Sequence, residues 1–185
     1  MENPRDRASV RAVREIHSGK VFRLVQEELT LPNGFTTFLE VIRHPGAAAL
    51  VALTEDQRVI LLRQYRHAVG DFIWEIPAGT RRAGEDPMEC AKRELAEETG
   101  YQASHLELLG EIVPVPGYSD ERIYLFLARG LLPYPQHLDQ DEVLEVHAVA
   151  LERALEMIEK GRIQDAKSIV GLTLARMRLE DPMAR

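Results

Sequence analysis

The sequence predicts an α/β fold with a mixed sheet, preceded by an N-terminal β region. Three observations point there: short apolar runs through residues 47–150 broken by one well-marked helix, helical periodicity from Leu151 onward, and a hairpin pattern within residues 1–46. With 185 residues and 45% hydrophobic content, the chain is long enough for one well-buried core.

Residues 1–46 read as a polar lead followed by "KVFRLVQEELTLPNG" and "FTTFLEVIRHPG", alternating segments joined at the turn signal "PNG". A hairpin of this size has too little core to stand alone, so it is predicted to pack on the rest of the chain or on a second copy. Residues 47–185 form the second predicted region. "AAALVAL" is a buried strand, "TEDQ" a turn and "RVILLRQYR" the next strand, with "IYLFLAR" and "EVHAVAL" following. After Leu151, "LERALEMIEKG" and "DAKSIVGLTLARMRLE" carry apolar residues at three and four residue spacing, which predicts two amphipathic helices.

The helix inside the strand-rich region is bounded at both ends. Asp86 suits the N-cap, Pro87 the first helical position, and Glu89 the third position of a capping box, while Gly100 supplies a left-handed stop. Met88, Ala91 and Leu95 form an apolar stripe, which places Glu94, Glu97 and Glu98 together on the other side. Like charges at those spacings destabilise a helix by roughly 0.2–0.5 kcal/mol per pair. Two explanations fit: a solvated acidic face, or a divalent cation held by carboxylates one turn apart.

Charge narrows the function. A net charge of −7 without a basic stripe argues against neutralising the phosphates of DNA or RNA. The single cysteine, Cys90, has no partner for a disulfide and reads as a packing residue, so a reducing cytoplasm is expected. The charged N-terminus lacks the apolar segment of a signal peptide, and no apolar run reaches membrane-spanning length.

The context of the acidic helix decides between its two explanations. "GTRRAGEDPMECAKRELAEETGY", Gly79 to Tyr101, resembles the Nudix box: Gly, five residues, Glu, seven residues, then Arg-Glu-aliphatic-any-Glu-Glu-any-Gly-aliphatic. Gly79, Glu85, Arg93, Glu94, Leu95, Glu97, Glu98 and Gly100 each fall on their motif position, and a chance match of the seven fixed residue types is about one in 10⁸ per start position. Tyr101 departs from the usual aliphatic residue and is expected to fill the same apolar socket. The resemblance implies an α/β/α Nudix sandwich that hydrolyses a nucleoside diphosphate linked to another group, using Mg²⁺ or Mn²⁺. It implies Glu94 and Glu98 as metal ligands, Glu97 as a sharer of metal or of catalysis, and Arg93 as the residue that orients them. Glu85 either supports the loop or reaches metal.

The flanks resemble the ADP-ribose pyrophosphatase branch. "WEIPAG" implies the Ala78 carbonyl as a further metal ligand, "LRQYRHAVG" implies Arg66 as the grip on the diphosphate, and Pro116 in "VPVPGYSDE" stands near the branch's marker proline. Arg63, on the opposite strand parity, is expected outside the pocket. In the acidic loop "LDQDEVLEVH", Glu142 is implied as catalytic base or additional metal ligand. Phe35, Phe38 or Trp74 could hold the substrate base, with Trp74 and Phe35 the leading candidates and a homodimer the expected assembly. The implied reaction converts ADP-ribose, or a related ADP-sugar, to AMP and ribose 5-phosphate. A GDP-sugar (GDP-mannose type) pyrophosphatase and a non-catalytic nucleotide-binding Nudix module are the alternatives.

Overall fold

The computed structural model describes residues 7–181, so residues 1–6 and 182–185, the outer ends of the two predicted regions, lie outside it. The described residues divide into two compact units, one built from the chain up to Pro45 together with Val115–Arg122, the other from Gly46–Pro114 and the chain from Ile123 on.

The first unit carries an antiparallel sheet of β1 (Ser9–Ser18), β2 (Arg23–Thr30) and β3 (Thr36–Arg43), in that order. The predicted hairpin is β2–β3, closing with Thr30 opposite Thr36. The supposed polar lead is instead strand β1. Periodicity missed it because every one of its residues is exposed and two register shifts, at Val10/Ala12 and Glu15/His17, break the alternation. In β2, Val25, Glu27 and Leu29 are buried on alternate positions. Buried Glu27 is paired with Arg43, which also bonds Asp120 at 3.0 Å, and so the 115–122 segment is tied to β3. Pro116 lies in a turn of that segment, where the Tyr118 N–H donates to the Val115 carbonyl at 3.2 Å.

The second unit runs β4 (Ala47–Ala52), β5 (Arg58–Arg66), β6 (Asp71–Glu75), β7 (Ala78–Thr80), α1 (Pro87–Thr99), β8 (Tyr101–Ile112), β9 (Ile123–Pro133), β10 (Leu144–Ala150), α2 (Leu151–Glu159) and α3 (Ala166–Glu180). Its two sheets have orders β7-β4-β9-β8 and β10-β5-β6, and the β4–β9 pair is parallel. Small and branched residues let β4 be buried along its whole length. Ala47, Ala49 and Val51 join one cluster with Leu151, Ala154, Met157, Leu172 and Ala175, whereas Ala48, Leu50 and Ala52 join another with Cys90, Ala91 and Leu95. Alternate residues of one strand thus face α2 and α3 on one side and α1 on the other, which is the α/β/α arrangement.

Three strands, β6, β7 and β8, lie where the sequence pattern had marked none. β6 and β7 span only five and three residues, and β8 mixes exposed and half-buried positions without a regular period. The caps of α1 form as predicted at Asp86, whose side chain accepts from the Met88 N–H at 2.8 Å, and at Gly100 with φ of 73°. Glu89 does not complete the capping box; it pairs with Lys92 at 2.7 Å instead. Met88 is exposed, and the buried residues of α1 are Cys90, Ala91, Glu94, Leu95, Ala96, Glu98 and Thr99. Tyr101 packs against the α1 cluster, in the apolar role expected of it.

Candidate active site

Arg93 organises the acidic end of α1. Its Nε and Nη2 bond the two oxygens of Glu85, each at 2.9 Å, while Nη1 reaches Glu94 at 2.5 Å and Glu97 at 3.0 Å. Glu85 is therefore clasped side-on, and with the Arg82 N–H as a second donor at 2.8 Å its pKa falls to about 2. The loop that carries Glu85 is fixed to the helix that carries the other carboxylates. Glu97 stays half-buried and keeps contact with Arg82 at 3.8 Å.

Glu94 and Glu98 belong to a different environment from the one helical periodicity suggested. They are only 7% and 2% exposed, deep in the crease between α1 and the chain entering it. Burial raises the pKa of both, and the charges of Glu97 and Glu142 push the same way on Glu94, as do Glu94 and Glu142 on Glu98. Backbone geometry makes room for them. A Cβ at Gly79 would lie 2.0 Å from the Glu94 carboxylate, and the Ala78 N–H donates to Glu98 at 2.9 Å.

This donor set suits a hard divalent cation, since buried carboxylate charge needs a counter-ion and every candidate ligand atom is oxygen. Among the described residues no three acidic, histidine or cysteine side chains already converge on one point. Arg93 bonds one oxygen each of Glu94 and Glu97, and the Ala78 amide one oxygen of Glu98, so every one of these carboxylates keeps lone pairs for an ion. Cys90, buried beside the site with a thiol pushed up to about 12 chiefly by desolvation, is a packing residue and no nucleophile.

Glu142 comes to α1 through its loop. Gln136 donates to the Glu98 carbonyl at 2.6 Å and the His137 N–H to the Glu97 carbonyl at 3.1 Å, which ties the start of the loop to the helix end. Glu142 itself is half-buried and accepts from the Asp139 N–H at 2.8 Å. Arg66 sits at the end of β5 on the face shared by Gln64 and Leu62, and its Nε bonds buried Glu75 at 2.7 Å. The other oxygen of Glu75 takes Lys167 at 2.5 Å. Neither Glu75 nor Lys167 was singled out in the sequence, because an acidic strand end and a lysine early in α3 have no spacing relation to one another.

The aromatic candidates separate. Trp74 lies opposite Arg63 in the β5–β6 register, on the other face from Arg66, where it packs on the α2/α3 cluster with its ring 5.0 Å from His147. Arg63 shares that face and stacks over Phe72 at 4.5 Å, away from Arg66 as expected. Phe35 lies in the first unit, 63% exposed at the β2–β3 turn, and Phe38 is exposed as well.

Comparison with known proteins identifies the family of the chain. The family described as NUDIX domain matches residues 42–170. The chain is 42% identical over 159 residues to the ADP-ribose pyrophosphatase of Bacillus subtilis (strain 168), covering 85% of this chain and 86% of that protein. It is 40% identical over 160 residues to the methanol dehydrogenase activator of Bacillus methanolicus, with the same two shares of 85% and 86%. A crystal structure of an ADP compounds hydrolase shares the fold with a TM-score of 0.82 and 23% identity, over 96% of this chain and 97% of that one.

Proposed function

The chain belongs to the NUDIX domain family, and from that membership we propose that it hydrolyses the diphosphate of ADP-ribose, or a related ADP-sugar, to AMP and ribose 5-phosphate with Mg²⁺, Mn²⁺ serving in its place. The observation that carries this reading is the buried Glu94–Glu98 pair at the box positions of α1, in a chain matching an ADP-ribose pyrophosphatase over most of both lengths. Glu94, Glu97 and Glu98 with the Ala78 carbonyl hold the metal. A bound divalent cation supplies charge neutralisation for the diphosphate and polarises the phosphoryl oxygen. Arg93 positions the glutamates, Arg66 grips the diphosphate with its terminal nitrogens, and Glu142 accepts the proton of the attacking water.

The first unit exposes Val10, Val13, Phe35, Phe38 and Leu39, an apolar surface that fits assembly with a second copy into a homodimer. In that assembly Phe35 stacks on the substrate base, while Trp74 is committed to the core beside His147. No helix among the described residues is long and apolar enough to cross a membrane, and the lone buried cysteine suits a reducing cytoplasm.

The test is a panel of nucleotide sugars assayed with Mg²⁺ and with Mn²⁺. ADP-ribose should give the highest kcat/KM, with AMP and ribose 5-phosphate as products. Preference for GDP-mannose would assign the chain to the alternative branch, and absence of turnover with every substrate would make it a binding module.

A further inference from the structure

Arg66 is held in an unusual way for a residue that has to meet a ligand. Only its Nε is hydrogen-bonded within the described protein, at 2.7 Å to Glu75 Oε2, which leaves the two terminal nitrogens as an open fork on a partly exposed side chain. Arginine recognises phosphate through such a fork, and its value depends on the plane of the guanidinium being set beforehand. The Nε bond sets that plane. Its quality then depends on how firmly Glu75 is held, and Glu75 is 3% exposed at the last position of β6.

The opening turn of α3 holds that strand end at two points. Lys167, with 11% of its side chain exposed, places Nζ 2.5 Å from Glu75 Oε1 and 3.1 Å from Asp165 Oδ2. Ser168, fully buried, accepts the Ile76 N–H at 2.8 Å and donates to Asp165, the N-cap of α3. The strand is thus fixed through its backbone by Ser168 and through its terminal carboxylate by Lys167. Each Glu75 oxygen has one cation, so the carboxylate cannot turn toward one without leaving the other.

We propose that Lys167 is a positioning residue for substrate binding: acting through Glu75, it sets the orientation in which Arg66 presents its fork to the diphosphate. The inference rests on the reading of Arg66 given above. Lys167 touches no substrate, because its ammonium is committed to Glu75 and Asp165. Without it, Glu75 has a free oxygen, can rotate to chelate the Arg66 terminal nitrogens, and withdraws them from the ligand. The loss therefore falls on binding and leaves the metal-centred step intact.

The experiment compares the full-length wild type with Lys167→Met, Lys167→Arg, Arg66→Ala and the Arg66→Ala/Lys167→Met double variant, in kcat and KM for ADP-ribose at saturating Mg²⁺. Lys167→Met should raise KM about tenfold with kcat nearly unchanged, and Lys167→Arg should restore most of the loss. In the Arg66→Ala background, the lysine change should add less than about twofold, because the group it positions is gone. If Lys167→Met does not fold, Lys167→Ala, which likewise leaves Glu75 Oε1 without its donor, carries the same comparison. An unchanged KM in Lys167→Met, or effects that multiply in the double variant, overturns the proposal while Arg66 keeps its role. An unchanged KM in Arg66→Ala overturns both.

Discussion

Glu98 is at once a buried charge and the expected core of the metal site, so its two energetic roles oppose each other. In Glu98→Gln the Ala78 amide keeps an acceptor, and desolvation of a charge is removed from a site that is 2% exposed. The fold should therefore persist while turnover falls by about 10³ or more, equivalent to roughly 4 kcal/mol of transition-state stabilisation. Calorimetry gives a second readout: Mg²⁺ should raise the melting temperature of the wild type and leave that of Glu98→Gln where it is. Near-normal turnover by a folded variant removes Glu98 from the metal site. Glu85 behaves in the opposite way. Arg93 depresses its pKa from 4.5 to about 2, so the native state binds its proton less readily than the unfolded chain. The stability this supplies is complete above about 4.5 and fades as pH falls through about 2. Urea midpoints of the wild type should exceed those of Glu85→Gln at neutral pH and converge with them in acid. A gap that stays constant with pH would mean the pair acts by packing alone.

At the scale of elements, the approach of β7 to α1 and the loop before β10 set the site. β7 runs so close to the helix that an added Cβ at position 79 would meet the flexible end of Glu94 at 2.0 Å. Gly79→Ala should consequently displace the carboxylate rather than the backbone. Activity should drop by an order of magnitude or more while thermal unfolding shifts by only a few degrees, and full activity would show that Glu94 is not needed in this position. The Glu142 loop is tested by turnover against Mg²⁺ concentration for Glu142→Gln, Asp139→Asn and Asp141→Asn. A base should give a loss confined to Glu142→Gln that added metal does not recover. Recovery at high Mg²⁺ would make Glu142 a metal ligand, and equal small losses in all three would leave the loop only a general negative field.

For the whole molecule, the apolar surface of the first unit bears on assembly. Val13 and Phe38 are more than half exposed on strands paired within one sheet, a pattern that suits a covered face better than a solvated one. Sedimentation should find a dimer for the full chain and a monomer for a Val13→Asp/Phe38→Asp variant, with weaker ADP-ribose binding in the latter. A full-length monomer with normal KM would end the case for shared substrate contacts. The three-stranded sheet itself was only partly legible. β2 and β3 announced themselves by alternation and a turn, whereas β1, exposed throughout and twice shifted in register, pairs for reasons that no periodicity records.

What the sequence determined by itself was whatever depends on near neighbours along the chain: the caps of α1, the two C-terminal helices, the buried run of β4, and the spacing of Glu94, Glu97 and Glu98 that identified the family. These follow from helical and strand geometry, in which residues a few places apart must meet. Burial of Glu94 and Glu98 was not in that information. Their depth depends on Gly79 and Ala78 closing over the helix, and a period read along α1 alone had placed them on its open side. The same holds for Arg66 and Trp74, both expected at the substrate, which strand parity puts on opposite faces of one ladder. Glu75 and Lys167 lie 92 residues apart and meet only because α3 packs its first turn against the end of β6. A contact of that range leaves no spacing in the chain, so only the tertiary structure could decide it.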